Sequence, residues 1–447
     1  MDEKFPIGEH ATISNKYAYS REEITGFVDY CRSLGIEVIP LQQCFGHVEY
    51  ILRHDRYSRL AESRQDISQV CPLQTEECRQ LFTELFADMA SLHQSRYIHI
   101  GGDETRLLGH CAECAKATAK EGTSKLFTSY LKMICNIITG MGKIPVMWAD
   151  IVLKYPEAVS ELPKETVFVD WNYGWDINYF GNITDLQKKG ATIWGAPSIR
   201  SHPDNWYVSC WEKHLNNQRD FIPYARKANY GGMIMTSWST SGVYGFNWDI
   251  NWEVVDMFAI RNNYPLSGFR LLIAAYAKAL QQTEPLDPVV FVEEYAKERF
   301  GLNKEECKQF RIALFASPEI IRPENISDQK KIGETKAEID NACQTMAGLK
   351  PQANQIEFEH LRLMLDLRQF YLDSKAVESL YESDFLANGR KSELLNSISD
   401  LLARSKKLDQ RFSSLNKGFL YPSEIEEQNR IRSRKIENIY TALKDNR

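Results

Sequence analysis

The first 262 residues alternate between two hydrophobic patterns. Segments with apolar residues every three to four positions predict amphipathic helices, and short runs of consecutive apolar residues predict buried strands. The first helix pattern runs from residue 21 to Gly35, and a strand pattern follows it at 36–43. This step recurs along the chain. The pattern predicts six strands, at 36–43, 97–102, 144–150, 166–172, 191–197 and 232–240.

Regular alternation of this kind predicts a parallel sheet with right-handed crossovers, either an open doubly wound sheet or a barrel of eight strand-helix units. Four predicted strands end in polar or aromatic side chains, and a barrel brings all strand ends to one rim. We therefore favour an α/β fold of the (β/α)8 TIM-type barrel class. Six strands are fewer than eight, and residues 1–20 are too short for two further units, so we expect the first strands of the barrel to be missing at the N-terminus.

The pattern changes near residue 285, after which Trp is absent and helical periodicity dominates. We predict an N-terminally incomplete barrel domain at 1–270 and an α-helical C-terminal domain at 285–447, with a polar connector around 317–335. A barrel that lacks strands exposes sheet edges, which favours pairing with another chain. A homodimer is therefore one expected assembly.

Composition excludes several classes of protein. The 447 residues include 54 basic and 60 acidic side chains, a net charge of −6, which argues against nucleic acid as a partner. No run approaches the roughly 18 apolar residues of a membrane helix, so we expect no membrane partner. Ten cysteines are too few for a disulfide scaffold, and "MDEKFPIGEH" has no signal-peptide core. The expected location is the cytoplasm, or the nucleus in a eukaryote.

Candidate chemistry is concentrated in "YIHIGGDET", residues 97–105, where Asp103 and Glu104 follow two glycines at the end of a predicted strand. The glycines permit a turn that lets both carboxylates face one ligand. Neighbouring carboxylates repel, which raises the pKa of one and keeps it protonated as a general acid, the pattern of a glycosidase. The alternative interpretation is a helix N-terminus stabilised by acidic residues.

The hexapeptide "HIGGDE", His99 to Glu104, resembles the H-x-G-G-D-E motif of glycoside hydrolase family 20, the β-N-acetylhexosaminidases. Residues 19–52 are similar to the hexosaminidase D branch, and the resemblance extends over residues 2–262. It implies an exo-β-N-acetylhexosaminidase that removes terminal β-linked GalNAc or GlcNAc from a glycan or glycoconjugate, without metal or organic cofactor. The implied mechanism is substrate-assisted and retaining, because the acetamido oxygen of the sugar attacks the anomeric carbon.

The resemblance also implies roles for single residues. Glu104 would be the acid/base, and Asp103 would orient the acetamido group and stabilise the charge that develops on it. Sugar faces pack on indole rings, so three tryptophans at strand ends are candidate pocket walls, although each alone is more typical of a core. These candidates are Trp148, Trp171 and Trp238.

Further candidates are polar. Asp150 and Asn172 are expected to hydrogen-bond the sugar, His47 to support the catalytic acid, and His99 to be a buried orienting residue. The family's Tyr-x-Asp pair is absent where Trp194 lies, which leaves Tyr173 as a candidate for the role of that Tyr. Thr240 stands where the family often has a carboxylate for the outer hydroxyl groups, which puts the hydroxyl selectivity in question.

Two rival functions remain open. The missing strands and the absent Tyr-x-Asp pair are compatible with a carbohydrate-binding barrel that does not catalyse hydrolysis. A conventional two-carboxylate glycosidase with Asp150 as the nucleophile is the third hypothesis, and it predicts cleavage of sugars that lack the acetamido group.

A pair of cysteines, Cys111-x-x-Cys114 beside His110, has the spacing of half a zinc site. No second such pair exists, so a metal would need scattered ligands such as Cys71, Cys78 or His54. We therefore expect reduced thiols and no bound metal.

Overall fold

The computed structural model describes residues 2–15, 18–201, 204, 209–238, 268–321, 325–383 and 389–445. The chain divides into two compact units. The first contains residues 1–196 and 224–234, and the second contains 197–223 and 235–447.

The first unit contains a five-stranded parallel sheet in the order β1-β2-β3-β4-β6. In the second unit, β5 and β7 form a separate parallel pair. The strands are β1 (Tyr97–His99), β2 (Ile144–Trp148), β3 (Val167–Trp171), β4 (Thr192–Ala196), β5 (Ser198–Arg200), β6 (Gly232–Met233) and β7 (Thr236–Ser237).

Helices separate the strands of the sheet and continue after it. Those that begin before residue 230 are α1 (Arg21–Ser33), α2 (Glu49–Leu52), α3 (Thr75–Leu92), α4 (Ala112–Glu121), α5 (Thr123–Gly140), α6 (Asp150–Lys154), α7 (Ile183–Gln187) and α8 (Trp211–Lys227). Those that follow are α9 (Arg270–Gln281), α10 (Pro288–Phe300), α11 (Lys304–Leu314), α12 (Gln329–Gly348), α13 (Gln355–Glu382), α14 (Lys391–Asn416) and α15 (Pro422–Lys444).

The parallel sheet curls as the wall of a barrel does. Tyr97 on β1 and Trp194 on β4 have ring centroids 5.2 Å apart. The strands that carry them are separated by β2 and β3, and a flat sheet would place them about 14 Å apart at about 4.8 Å per strand. The two rings meet because they lie on the concave face of a curled sheet.

The predicted strand at 36–43 forms only a short contact with the sheet. His99 donates its N–H to the carbonyl of Pro40 at 2.8 Å, and Gln42 donates to the carbonyl of His99 at 2.9 Å. Around this contact Leu41 makes a single parallel bridge to His99. Pro40 has no N–H to donate, so a regular ladder does not develop across it.

Other elements differ from the sequence prediction in detail. The predicted strand at 232–240 is two short strands, β6 and β7, and residues 239–240 lie outside the described ones. Strand β5 and helix α4 were not predicted, because neither has a strong apolar period.

Amphipathic helices cover the sheet of the first unit. Helix α3 begins at Thr75 and buries Leu81, Leu85 and Met89 along one face, and α5 buries Leu131 and Ile138. The second unit has its own core of aliphatic and aromatic side chains from α12 to α15. No helix among the described residues is both long and apolar enough to cross a membrane.

Candidate active site

Two glycine-containing turns meet at the carboxyl end of β1. After β1, Gly101 and Gly102 have positive φ angles of 73° and 87°. A Cβ at Gly101 would lie 1.7 Å from Oε1 of Gln43, and a Cβ at Gly46 would lie 2.5 Å from the carbonyl oxygen of Asp103. Glycine at both positions therefore lets the 43–47 turn contact the backbone that carries the acidic pair.

His47 contacts both candidate catalytic carboxylates. Its Nε2 lies 3.3 Å from Oδ2 of Asp103 and 3.2 Å from Oε2 of Glu104. His47 and Glu104 have positive φ angles of 55° and 46°, a backbone conformation that residues other than glycine rarely adopt. The backbone is thus turned so that one imidazole reaches two consecutive carboxylates.

Each carboxylate has a further donor of its own. Nε2 of Gln43 donates to Oδ1 of Asp103 at 3.3 Å, and a guanidinium nitrogen of Arg106 donates to Oε1 of Glu104 at 2.7 Å. The side chain of Asp103 is 14% exposed and that of Glu104 is 31% exposed. Asp103 is therefore the more buried of the two carboxylates, and Glu104 is the more exposed to solvent.

The charges of the site oppose the pKa shift expected from the sequence. Burial acts to raise the pKa of Asp103, but the charge of His47 and its hydrogen bond hold that pKa below its ordinary value. Burial likewise opposes a lowered pKa at Glu104, yet the hydrogen bond and charge of His47 lower it. Burial acts to lower the pKa of His47, but the charge of Asp103 and the hydrogen bonds to Asp103 and Glu104 together hold that pKa well above its usual range. The expected raised pKa within the acidic pair is wrong for this arrangement, because the imidazolium of His47 contacts both carboxylates and outweighs their mutual repulsion.

Asp150 lies behind the acidic pair and holds backbone and ring donors in place. It is the first residue of α6 and is 2% exposed. Its Oδ2 accepts the N–H of Glu104 at 3.0 Å, and its Oδ1 accepts the indole N–H of Trp171 at 3.4 Å. Burial, reinforced by the charge of Asp103, raises the pKa of Asp150 to about 7.

His99 and Trp148 form a buried layer beneath the turn. They are 5% and 3% exposed, and their ring centroids are 4.5 Å apart. Nδ1 of His99 accepts the N–H of Gly101 at 3.0 Å, and burial lowers the pKa of His99 to about 4. A neutral His99 therefore fixes the first glycine of the turn, and Trp148 packs against it.

A cluster of aromatic side chains follows β3. The ring of Trp171, which is half-buried, lies 5.1 Å from Tyr173, 5.2 Å from Trp175 and 4.5 Å from Phe180 between centroids. Tyr173 is 8% exposed. Sequence reasoning did not single out Trp175 and Phe180, although "WNYGWDINYF" at 171–180 has five aromatic residues in ten positions.

Asn172 supports the loop that carries this aromatic cluster. Its side-chain amide donates to the carbonyl oxygens of Trp175 and Asp176 at 3.0 and 3.4 Å, and its Oδ1 accepts the N–H of Gly174 at 2.9 Å. Asn172 is 4% exposed. These contacts give it a role in shaping the loop.

Trp238 belongs to the second unit. Its N–H donates to the carbonyl of Arg200 at 3.0 Å, and Nε of Arg200 donates to the carbonyl of Trp238 at 3.1 Å. Its part in binding sugar stays a prediction. Thr240, which bears on hydroxyl selectivity, lies outside the described residues.

Comparison with known proteins identifies the family. Residues 6–242, more than half of the chain, match the model of glycosyl hydrolase family 20, catalytic domain. Hexosaminidase D of Bos taurus is 28% identical over 254 residues, which cover 53% of this chain and 73% of that protein. Hexosaminidase D of Homo sapiens is 27% identical over 256 residues, which cover 53% of this chain and 52% of that protein.

A solved structure is also similar. The β-N-acetylhexosaminidase from Bacteroides fragilis NCTC 9343 aligns with a TM-score of 0.44 and 15% identity, over 66% of this chain and 59% of that one. The chain thus spans about half to three quarters of the length of these proteins.

The chain belongs to glycosyl hydrolase family 20, and this places it in the class of β-N-acetylhexosaminidase-type glycoside hydrolases. The family match and the curled parallel sheet confirm the predicted fold class, a TIM-type barrel with a helical C-terminal region. Within the family, hexosaminidase D is the kind of protein to which the chain is similar.

Proposed function

We propose that this protein is an exo-β-N-acetylhexosaminidase that hydrolyses terminal β-linked GalNAc or GlcNAc by a substrate-assisted, retaining mechanism. The observation that carries the proposal is the contact of Asp103 and Glu104 with one imidazole, that of His47, at the end of β1. Membership of the family and the similarity to proteins named hexosaminidase support the choice of substrate class.

In the first step, the acetamido oxygen of the sugar attacks the anomeric carbon while the bond to the leaving oxygen breaks. Asp103, ionised, accepts the acetamido N–H and offsets the positive charge of the cyclic intermediate, and Glu104 gives its proton to the leaving oxygen. In the second step, Glu104 takes a proton from water as that water attacks the anomeric carbon. The ring then opens to restore the acetamido group with net retention of configuration.

The environment of Asp150 supports this mechanism over the hypothesis that Asp150 is a nucleophile. Its carboxylate is 2% exposed and accepts hydrogen bonds from Glu104 and Trp171. A pKa of about 7 leaves much of this carboxyl neutral near neutral pH, and a neutral carboxyl is a poor nucleophile. Asp150 is better suited to fix the backbone of Glu104.

The aromatic cluster after β3 supports a sugar as the ligand. Trp171 is held by the carboxylate of Asp150, which also accepts the N–H of Glu104, so its indole is positioned by the same group as the acid/base. An indole wall binds the C–H face of a sugar and excludes water. We propose Trp171 as one wall of the pocket and keep Trp148, Trp238 and Tyr173 as candidate contacts.

The cellular compartment forms part of the proposal. None of the ten cysteines forms a disulfide, and this supports a reducing compartment such as the cytoplasm.

The test compares hydrolysis of 4-nitrophenyl β-N-acetylgalactosaminide and β-N-acetylglucosaminide with that of plain β-galactoside and β-glucoside. Wild type, Asp103→Asn and Glu104→Gln are measured beside Asp185→Asn, which alters an exposed carboxylate paired with Lys188. We expect turnover of the acetamido sugars only, with kcat lowered about 10²- to 10⁴-fold in both site variants and unchanged in the control. A thiazoline that mimics the cyclic intermediate should inhibit wild type.

Each rival function has its own outcome. Folded wild type that binds these sugars without turnover would indicate a carbohydrate-binding barrel. Cleavage of the plain glycosides, together with indifference to the thiazoline, would indicate a nucleophilic carboxylate instead.

A further inference from the structure

Three thiols and one carboxylate that are not part of the candidate active site converge in the first unit. The group consists of Glu62, Cys71, Cys111 and Cys114, hereafter the Cys3Glu cluster. Its four ligand atoms all lie within 4.8 Å of one another. Glu62, Cys71 and Cys114 are 3%, 5% and 0% exposed, and Cys111 is half-buried. Exposed acidic groups often cluster without a ligand, but the groups of this cluster are mostly buried, so their convergence needs a specific explanation.

Local structure brings these residues together from two segments. Ala61 and Val70 form an antiparallel bridge, next to which Glu62 donates its N–H to Gln69 and Cys71 donates its N–H to Leu60. Glu62 and Cys71 therefore lie diagonally to each other on one side of the paired segments. Cys111 caps α4, and the N–H of Cys114 donates to the sulfur of Cys111 at 3.4 Å. The Cys-x-x-Cys spacing thus places both sulfurs at the start of α4 near Glu62 and Cys71.

The distances match the edges of a tetrahedron around one ion. Sγ of Cys71 lies 3.9 Å from that of Cys111 and 3.5 Å from that of Cys114. Sγ of Cys114 lies 3.3 Å from Oε2 of Glu62. With Zn–S bonds of about 2.3 Å and Zn–O bonds of about 2.0 Å, tetrahedral edges are about 3.8 Å between sulfurs and about 3.5 Å between sulfur and oxygen. A disulfide needs sulfurs about 2.05 Å apart.

The buried carboxylate of Glu62 also favours a bound cation in the cluster. Glu62 is buried, and its carboxylate contacts the N–H of Cys111 at 2.8 Å and the thiol of Cys114. None of the ion pairs found among the described parts of the chain includes Glu62. A buried carboxylate without a cationic partner is costly, and a divalent ion removes that cost.

We propose that the Cys3Glu cluster binds one Zn²⁺ ion as a closed structural site. Three soft thiolates and one carboxylate in tetrahedral arrangement are a ligand set that zinc accepts, and four protein ligands leave no position for a substrate. This proposal differs from the expectation of metal-free thiols drawn from the sequence. Of the scattered ligands considered there, Cys71 belongs to the cluster, whereas Cys78 and His54 do not.

The ion joins two segments that border the candidate active site. Val70 donates its N–H to the carbonyl of Phe45 at 3.1 Å, close to His47, and Leu107 donates to Oε1 of Gln69 at 2.9 Å, three residues after Glu104. Zinc would therefore stabilise the loops on both sides of the acidic pair. The site itself is independent of the proposed hydrolase activity.

The test measures metal in the full-length protein, purified under reducing conditions without chelator. Inductively coupled plasma mass spectrometry should give one zinc per chain, and a mercurial thiol reagent should release that zinc to a colorimetric chelator. Cys71→Ser, Cys114→Ser and the milder Glu62→Gln should each lose zinc or bind it at least tenfold more weakly. Cys343→Ser, which alters a thiol of the second unit, should retain one zinc.

Exchange with cobalt gives a second readout that does not depend on the variants folding. Wild type loaded with Co²⁺ should show the visible and near-ultraviolet absorption of tetrahedral cobalt thiolate. Folded wild type that contains no metal, takes up neither Zn²⁺ nor Co²⁺, and has all ten thiols reactive after denaturation would overturn the proposal. So would zinc that persists in folded Cys71→Ser and Cys114→Ser proteins.

Discussion

Gly46 approaches the backbone of Asp103 so closely that no larger residue fits without movement. A Cβ there would lie 2.5 Å from the carbonyl oxygen of Asp103, which is backbone and cannot rotate away. We expect Gly46→Ala to displace the acidic pair and to lower kcat/KM about 10²-fold, the cost of an error of about 1 Å in a catalytic group.

The matched control for this substitution is Gly26→Ala. Gly26 lies in α1, and nothing lies within 4 Å of the position that its Cβ would take. We expect kcat/KM of this variant to equal that of wild type. If Gly46→Ala is also as active as wild type, the contact between the two turns has no catalytic consequence.

His47 sets the protonation of the acidic pair, so the pH profile of activity should report it. The hydrogen bond and charge of His47 lower the pKa of Glu104, the group that must be protonated to act as the acid. We expect kcat/KM of wild type to fall as pH rises through this lowered pKa, so that the optimum lies on the acidic side.

Removal of the imidazole tests this dependence. In His47→Gln, the basic limb of the kcat/KM profile should move to higher pH, because the positive charge that favours ionised Glu104 is lost. Arg106→Gln removes the second cation that contacts Glu104 and should move the limb the same way by less, since Arg106 is largely exposed. A basic limb at the same pH in His47→Gln would show that His47 does not set this pKa.

At the level of single residues, the sequence predicted which residues form the acidic pair but not their charge state. A six-residue motif is local, so Asp103 and Glu104 were recognisable from their neighbours alone. The pKa of each depends on His47 and, for Glu104, on Arg106. The contact with His47 joins the turn at 43–47 to the acidic pair at 103–104, two segments that are distant in the sequence. A sequence pattern does not encode that distance.

The loop after β3 places several aromatic side chains beside Trp171, and its shape depends on the amide of Asn172. If Trp171 forms a wall of the sugar pocket, Trp171→Ala should raise KM for the acetamido sugars about tenfold, the loss of a typical aromatic contact. Trp171→Phe should restore part of the affinity.

The control for Trp171→Ala is Tyr30→Ala, which removes from α1 an aromatic side chain that is 63% exposed. Steady-state kinetics should show KM unchanged in that variant. Equal KM values for Trp171→Ala and wild type would exclude Trp171 from the pocket.

The elements themselves were predictable to different degrees. Helices α3 and α5 have long apolar faces, so the period of three to four residues makes them recognisable in the sequence. Helix α4 was missed because "AECAKATAKE" buries only Cys114, so it has no apolar stripe to detect. Only half of the Cys3Glu cluster could be recognised in the sequence. Cys111 and Cys114 are close in sequence, whereas Glu62 and Cys71 come near them only in the folded protein.

The two compact units of the molecule alternate along the chain, and composition does not reveal this alternation. Residues 224–234 belong to the first compact unit, although 197–223 belong to the second. Such a division is made by contacts between segments distant in sequence. The domain ranges 1–270 and 285–447, which rest on local composition, stay predictions.

The stability of the molecule should depend on pH through Asp150. Its folded pKa of about 7 lies above the usual value of a free Asp, because the buried group is more easily kept neutral. The stabilisation from its protonated form is complete below about pH 4 and is lost as pH rises through about 7. Wild type should therefore lose stability over this interval relative to Asp150→Asn, whose amide keeps an acceptor oxygen for the N–H of Glu104 but does not titrate.

Thermal unfolding of both proteins between pH 4 and 8 measures this effect. We expect the difference in Tm, wild type minus Asp150→Asn, to fall by roughly 5 °C across the interval, as a change of a few kcal/mol implies for a chain of this size. Asp185→Asn removes an exposed carboxylate and should give a difference that is constant with pH. A constant difference for Asp150→Asn as well would mean that Asp150 titrates in the folded protein as it does in the unfolded chain. The two hydrogen bonds that it accepts would then be those of an ordinary ionised carboxylate.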